Sequence, residues 1–167
     1  MHTWYLISVW LHILAAAIWI GGMVFLAVVL VPALRAPEIS SVRVSLLYQT
    51  GLRFRRVGWV VFGVLIATGI VNVGMRGFGW NEVLQTRFWT GGWGGVLGIK
   101  LLLVVLLLAM SAVHDFYVGP RATRLMQDAS SVQDAAAVRR VASIAGRLIL
   151  LLSLAILALA VMLVRGW

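Results

Sequence analysis

Four long apolar stretches, separated by shorter segments rich in charge or glycine, dominate the hydrophobic pattern of this 167-residue chain. They run over about 4–34, 57–75, 96–118 and 141–164. Each is long enough for a helix to cross a hydrocarbon core of ~30 Å, which takes roughly 20 residues. The pattern predicts an all-α polytopic membrane protein: a single four-transmembrane-helix bundle over residues 1–167.

The composition agrees with a membrane protein, because 62% of the residues are hydrophobic and only 11% are charged. The first stretch is too long for a signal-peptide core and has no basic segment before it or small-residue cleavage pattern after it, so we expect it to be retained. Cysteine is absent, which excludes disulfides and thiolate metal sites. Any metal ion would be held by His, Met or carboxylate side chains.

The net charge of +9 follows the loops and forms no stripe with interleaved aromatic residues, so we expect no nucleic-acid partner. The second loop contains only Arg76 and Arg87 with Glu82. By the positive-inside rule, the first and third loops are cytoplasmic and both termini lie outside. Basic residues of those two loops are Arg35, Arg43, Arg53, Arg55, Arg56, Arg121, Arg124, Arg139, Arg140 and Arg147.

Two loops carry further patterns. The second, RGFGWNEVLQTRFWTGGWGG, concentrates aromatic residues among glycines and is typical of a belt at the headgroup level. In the first, EISSVRVSLLYQTGLRFRR mixes apolar and basic residues, which predicts a short amphipathic helix along the interface before the second span. DASSVQDAAAVRR has a similar pattern, and we expect a helix there that continues into the fourth span.

The segment HILAAAIWIGG places a titratable imidazole, His12, inside the first span. Helical spacing puts His12, Ala15, Ala16, Trp19 and Met23 on one face, which we expect to point into the bundle. Ionisable groups at membrane depth are candidates for function, because a charge near the bilayer centre costs at least ~2.5 kcal/mol. The alternative is a neutral histidine that hydrogen-bonds between helices.

The third span repeats this arrangement, with Lys100, Leu103, Leu107, Met110 and His114 at spacings of three and four on one face. Lys100 has a second interpretation, in which its ammonium group snorkels to the headgroups. Met110 alone is more often a filler of gaps in the core than a ligand.

The second span carries Thr68 and Asn72 on one face. These side chains are typical of hydrogen bonds between helices.

Haem b is the first cofactor that this inventory suggests, because it needs axial His, small residues beside the ring and Arg near its propionates. His12 and His114 differ in depth by about 15 Å at a rise of ~1.5 Å per residue, which disfavours one iron shared between them. Met110 or Met23 would then complete a site at His114, and Lys100 or His2 a site at His12. Trp19 lies on the face of His12, and the candidate propionate partners are Arg53, Arg55, Arg56 and Arg121.

Copper is the competing cofactor, since imidazole and thioether groups both suit copper ions. Its candidate ligands are His12, Met23, Met110 and His114. A third possibility is an accessory subunit of a larger membrane complex, in which the histidines only pack between helices. The glycine and alanine faces of the spans also suggest a homodimer.

The stretches LHILAAAIWIGGMVFLAVVLVPAL, RFRRVGWVVFGVLIATGIVN and LGIKLLLVVLLLAMSAVHDFYVGPRA resemble the CopD family of bacterial inner-membrane proteins. The resemblance implies copper handling in that membrane. The first and third helices are also similar to the HemJ-type protoporphyrinogen oxidases, which bind haem b; this similarity implies roles for His12 and Lys100.

Taken with the residues, the first expectation is a protein that binds haem b through intramembrane histidine, in electron transfer or redox chemistry. Copper transport across the membrane is the alternative, followed by an oxidase of the HemJ type and by the accessory subunit.

Overall fold

The computed structural model describes residues 2–121 and 132–165, and these residues are almost entirely helical. Four helices in the described part are long and apolar enough to cross a membrane, which confirms the prediction of an all-α polytopic membrane protein. We number six helices α1 to α6: His2–Phe25, Arg43–Gly74, Trp80–Val83, Thr86–Trp89, Gly92–Val113 and Val132–Arg165.

Two of the membrane helices pass into a π-helical turn, a rare geometry that is often found at functional sites. After α1 the chain continues through Leu26–Leu30 in this form and then through the short helical segment Val31–Ala33. After α5 it continues through His114–Val118.

The second membrane helix begins earlier than the hydrophobic pattern indicates. α2 starts at Arg43 and runs without a break to Gly74, so the prediction of a separate interfacial helix before the second span is wrong. The segment between residues 43 and 57 contains no proline, and continuing one helix satisfies its backbone N–H groups, which helix termini would leave without partners.

The four long helices form two antiparallel pairs. In the first pair, contacts advance along α1 from Ser8 to Gly22 while they move back along α2 from Thr68 to Phe54. In the second pair, Trp93 at the start of α5 donates to the carbonyl oxygen of Leu163 near the end of α6 at 3.1 Å. We call the boundary between the two pairs the seam.

The two ends of the bundle differ in chemistry. The aromatic end contains Phe78, Phe88 and Trp93, whose rings contact one another, and the guanidinium of Arg76 lies 5.0 Å from the Trp93 ring centroid. The basic end contains the start of α2, with Arg43, Arg53, Arg55 and Arg56.

The core is formed by residues from all four long helices: Ala15, Trp19, Val61, Phe62, Leu107 and Ile149. Trp19 is at its centre, with its ring 4.3 Å from that of Phe62 and stacked on Phe54 at 5.4 Å. α1 and α2 approach closely here, because a β-carbon at Gly58 would lie only 2.7 Å from the Trp19 ring.

Candidate functional site

His12 is held by a hydrogen bond to Thr68 of α2. Its Nδ1 lies 2.7 Å from the Thr68 hydroxyl oxygen, and that hydroxyl lies 2.6 Å from the carbonyl oxygen of Val64. A hydroxyl has one proton to donate, and the carbonyl can only accept it. The Thr68 hydroxyl therefore accepts the proton on Nδ1 of His12.

This chain of hydrogen bonds fixes the tautomer of a neutral His12. With the proton on Nδ1, Nε2 carries the lone pair, which is the form in which a neutral imidazole binds a metal. A ligand histidine usually donates its other ring N–H to an oxygen acceptor that sets its orientation. Thr68 occupies that position, so His12 is prepared for binding through Nε2.

Small groups and one cation surround this imidazole. A β-carbon at Gly69 would lie 3.6 Å from Cε1 of His12, and the Ser8 hydroxyl donates to the carbonyl oxygen of Thr68 at 3.4 Å. Lys100 of α5, which is half-buried, lies across the seam near enough to His12 for its charge to act on the imidazole. The structure therefore brings together two residues that the sequence singled out on different helices.

The predicted inward face of α1 is confirmed by burial, since Ala15 and Trp19 are both buried. Trp19 takes part in packing, and its indole N–H donates to the Ser153 hydroxyl at 3.0 Å. Met23 packs against the same core cluster.

A second group of polar side chains crosses the seam at the basic end. Trp59 of α2 donates its indole N–H to a carboxylate oxygen of Asp115 at 3.1 Å, and Arg55 donates to the backbone carbonyl of Asp115 at 3.0 Å. The Arg55 guanidinium also lies 5.4 Å from the ring centroid of Phe116. We call Arg55 and Trp59 the α2 clamp, because together they hold the π-helical turn His114–Val118.

Met110 and His114 line one cleft on the other side of this turn, between α5 and α6. The cleft has a volume of about 260 Å³, is open on one side, and is lined by Ala109, Met110, Val113, His114, Val118 and Ala145. The structure thus places the predicted thioether and imidazole together.

Four side-chain polar atoms are buried without a hydrogen-bond partner among the residues that the structure describes: Arg43 Nε, Asn72 Oδ1, Ser111 Oγ and His114 Nδ1. Such a group costs about 1–3 kcal/mol. Asn72 was expected to hydrogen-bond between helices, as Thr68 does, and the described residues give its amide oxygen no such partner.

The four arginines predicted to hold haem propionates do not meet at one place. Arg53 lines a cleft of about 420 Å³ between α1 and α2 with Thr50, Phe54 and Gly22 among others. Arg55 belongs to the α2 clamp, while Arg56 and Arg121 are exposed.

These positions do not fit a haem ligated by His12. Twelve residues of α2 separate Arg56 from Thr68, or about 18 Å at a rise of ~1.5 Å per residue, so Arg53, Arg55 and Arg56 lie at a different level of the bundle from His12. His12 and the π-helical turn with His114 are also on different levels of the bundle: Thr68 and Trp59, their neighbours on α2, lie about 14 Å apart along the helix.

Within residues 2–121 and 132–165, no group of three or more His, Cys, Asp or Glu side chains is placed to hold a metal ion. Any metal bound there would have few protein ligands. Low coordination with imidazole and thioether donors suits a soft ion more than a hard one.

Ser153 and Trp59 are structural residues that the sequence analysis missed. Ser153 is a lone hydroxyl in a long apolar stretch, and its partner Trp19 lies 134 positions away. The only available signal was that a buried indole N–H or serine hydroxyl must find a partner.

The fold and these sites define a class: a polytopic membrane protein with four long helices in its described part, in which His12 and His114 lie on two levels of the bundle. A family model described as CopD, copper resistance protein D, matches residues 48–163. That is more than half of the chain, so the protein belongs to the CopD family. The match includes Thr68, Lys100, Met110 and His114 but begins after His12.

Among known proteins, an uncharacterized protein of Aquifex aeolicus (strain VF5) is 28% identical over 113 residues, which cover 67% of this chain and 68% of the relative. No solved structure matches the chain.

Proposed function

We propose that this protein binds copper ions inside a bacterial inner membrane and passes them across it, with Nε2 of His12 as a ligand. The observation that carries the proposal is the hydrogen bond between His12 Nδ1 and Thr68, which leaves Nε2 free at bilayer depth. Membership of the CopD family supports copper as the ion. Copper is the cargo in this proposal, and it keeps its oxidation state.

Lys100 makes His12 a site at which an ion would bind only briefly during transport, which we call a stop. Its ammonium interacts with His12, so a cation on Nε2 would be repelled by a neighbouring positive charge. Conduction requires binding that is favourable enough to load an ion and weak enough to release it. A histidine ligand with a lysine nearby is in keeping with both requirements.

Thr68 acts in this proposal as a positioning residue. Substitution of Thr68 by valine keeps the shape of the side chain and removes the acceptor for Nδ1, so the ring can turn and the tautomer is no longer fixed. Loss of such an orienting partner weakens metal binding by roughly 10–100-fold. Thr68→Ser keeps the hydroxyl and is the matched control.

The test is uptake of radioactive copper by vesicles that contain the purified full-length protein. We expect His12→Gln to abolish most of the uptake, Thr68→Val to shift its concentration dependence upward by at least tenfold, and Thr68→Ser to stay within about threefold of the native protein, as expected from the effect of an orienting partner. Uptake that is unchanged in His12→Gln, with the variant present at native amounts, would overturn the role of His12.

A visible absorption spectrum of the same preparation separates copper from haem. We expect no Soret band in the protein purified from cells supplied with iron. A stoichiometric Soret band that is lost in His12→Gln would replace the copper proposal with the haem interpretation.

A further inference from the structure

The cleft between α5 and α6 at the basic end is lined by two residues whose side chains can bind a metal ion. Met110 and His114 are four positions apart, which places them on one face of the helix, and both line the cleft. The other lining residues, Ala109, Val113, Val118 and Ala145, are small or aliphatic. Among these lining residues, Met110 and His114 are the two whose side chains contain a metal-binding group.

The backbone that carries His114 has an unusual form that is held in place. His114 begins the π-helical turn His114–Val118. The α2 clamp binds this turn at the carbonyl and the carboxylate of Asp115, while the cleft lies against α6 through Ala145. His114, which lines the cleft, is thus carried by a turn that is held from another helix.

His114 also has an unused ring nitrogen. Nδ1 is buried and has no hydrogen-bond partner among the described residues. A buried polar atom without a partner in a native structure calls for an explanation, and an ion that binds nearby is one. The cleft and the unpartnered nitrogen are separate observations that point to the same side chain.

We infer that Met110 and His114 form a Cu(I) site at the basic end of the bundle. Thioether ligands select Cu(I) among biological metals, and imidazole accepts it. This inference rests on the proposed function, because it makes the site the second of two stops for the same ion. Copper binds as Cu(I) and leaves as Cu(I), so no electron acceptor is required.

The two stops are independent binding sites. Their neighbours on α2, Thr68 and Trp59, lie about 14 Å apart along the helix, which is too far for His12 and His114 to share an ion. The protein should therefore hold two Cu(I) ions per chain. Substitution of the ligands of one site should abolish the binding of one ion and leave the other ion bound.

The test is an anaerobic titration of the full-length protein in detergent with Cu(I), in competition with a chromogenic Cu(I) chelator. We expect two ions per chain in the native protein and one in both Met110→Leu and His114→Gln. Met162→Leu, in α6 and outside the cleft lining, is the matched control and should keep two. X-ray absorption of the loaded protein should show a copper–sulfur distance that Met110→Leu removes.

The outcomes distinguish this inference from the proposed function. If Met110→Leu and His114→Gln bind as much copper as the native protein, the cleft is not a copper site, whatever His12 does. If these variants lose their ion and His12→Gln does not, the cleft site stands and the role of His12 fails. If the native protein binds no Cu(I), both fail.

Discussion

The indole nitrogen of Trp19 and the hydroxyl oxygen of Ser153 are 3.0 Å apart, although 134 residues separate them in the chain. The Ser153 hydroxyl in turn donates a hydrogen bond to the carbonyl oxygen of Ile149 at 2.8 Å. The bond joins α1 to α6 in the middle of the bundle and so connects the two antiparallel pairs.

Loss of this bond should destabilise the protein. We expect Ser153→Ala and Trp19→Phe each to lower the free energy of unfolding in mixed detergent by about 1–3 kcal/mol, since each leaves a buried polar group unpaired or removes a large contact. The double variant should cost less than the sum, because the two side chains share one interaction. Strict additivity would show that the bond contributes nothing.

Gly58 should not tolerate a methyl group. A β-carbon there would lie 2.7 Å from Cζ3 of Trp19, so the ring or the helix must shift, at a typical cost of about 1–3 kcal/mol for overpacking. Gly63 on the same helix has no heavy atom within 4 Å of that position, so Gly63→Ala is the matched control. Thermal unfolding of the two variants compares them, and equal transitions would contradict the close packing.

The α2 clamp should hold the π-helical turn in place. Trp59→Phe keeps an aromatic side chain, although a smaller one, and removes the N–H that binds Asp115. We therefore expect the amide hydrogens of residues 114–118 to exchange faster and the free energy of unfolding to fall by about 1 kcal/mol. Trp10→Phe changes an indole that is 61% exposed and should leave exchange at that turn unchanged. Unaltered exchange in Trp59→Phe would show that the turn does not depend on the clamp.

The orientation in the membrane is open to a direct test, because the chain contains no cysteine. Single cysteines at Ser41, in the first loop, and at Gln85, in the second, would be the only thiols in the protein, and both positions are exposed. From the positive-inside rule we expect a membrane-impermeant maleimide to label Gln85→Cys in intact cells. Ser41→Cys should react only after the cells are opened, and the reverse pattern would invert the topology.

Much of the fold could be predicted from the sequence, because the bilayer sets the length of each apolar stretch. The start of α2 could not, since a mixed apolar and basic segment fits either an interfacial helix or the first turns of a spanning one. The π-helical turns could not be predicted from the hydrophobic pattern either, because one extra residue in a turn barely alters apolar periodicity. No pattern in the sequence indicated that Ser153 would bind Trp19.

The sequence singles out the residues of the candidate site one by one, but it does not show which of them meet. Periodicity places His12 and Thr68 on inward faces of their helices, yet it does not give the register between two helices. The hydrogen bond between them, and the resulting tautomer of His12, needed the structure. The separation of Arg53, Arg55, Arg56 and Arg121 likewise depends on how the helices rotate.

The close approach at Gly22 and Gly58 has a consequence for genetic screens. A side chain at Gly22 would overlap the ring of Phe54, as one at Gly58 would that of Trp19, and neither glycine belongs to a metal site. Under the proposed function, substitutions there would weaken a copper phenotype by lowering the amount of protein in the membrane. Alleles from such a screen should therefore be sorted by protein abundance before any loss of phenotype is assigned to a ligand.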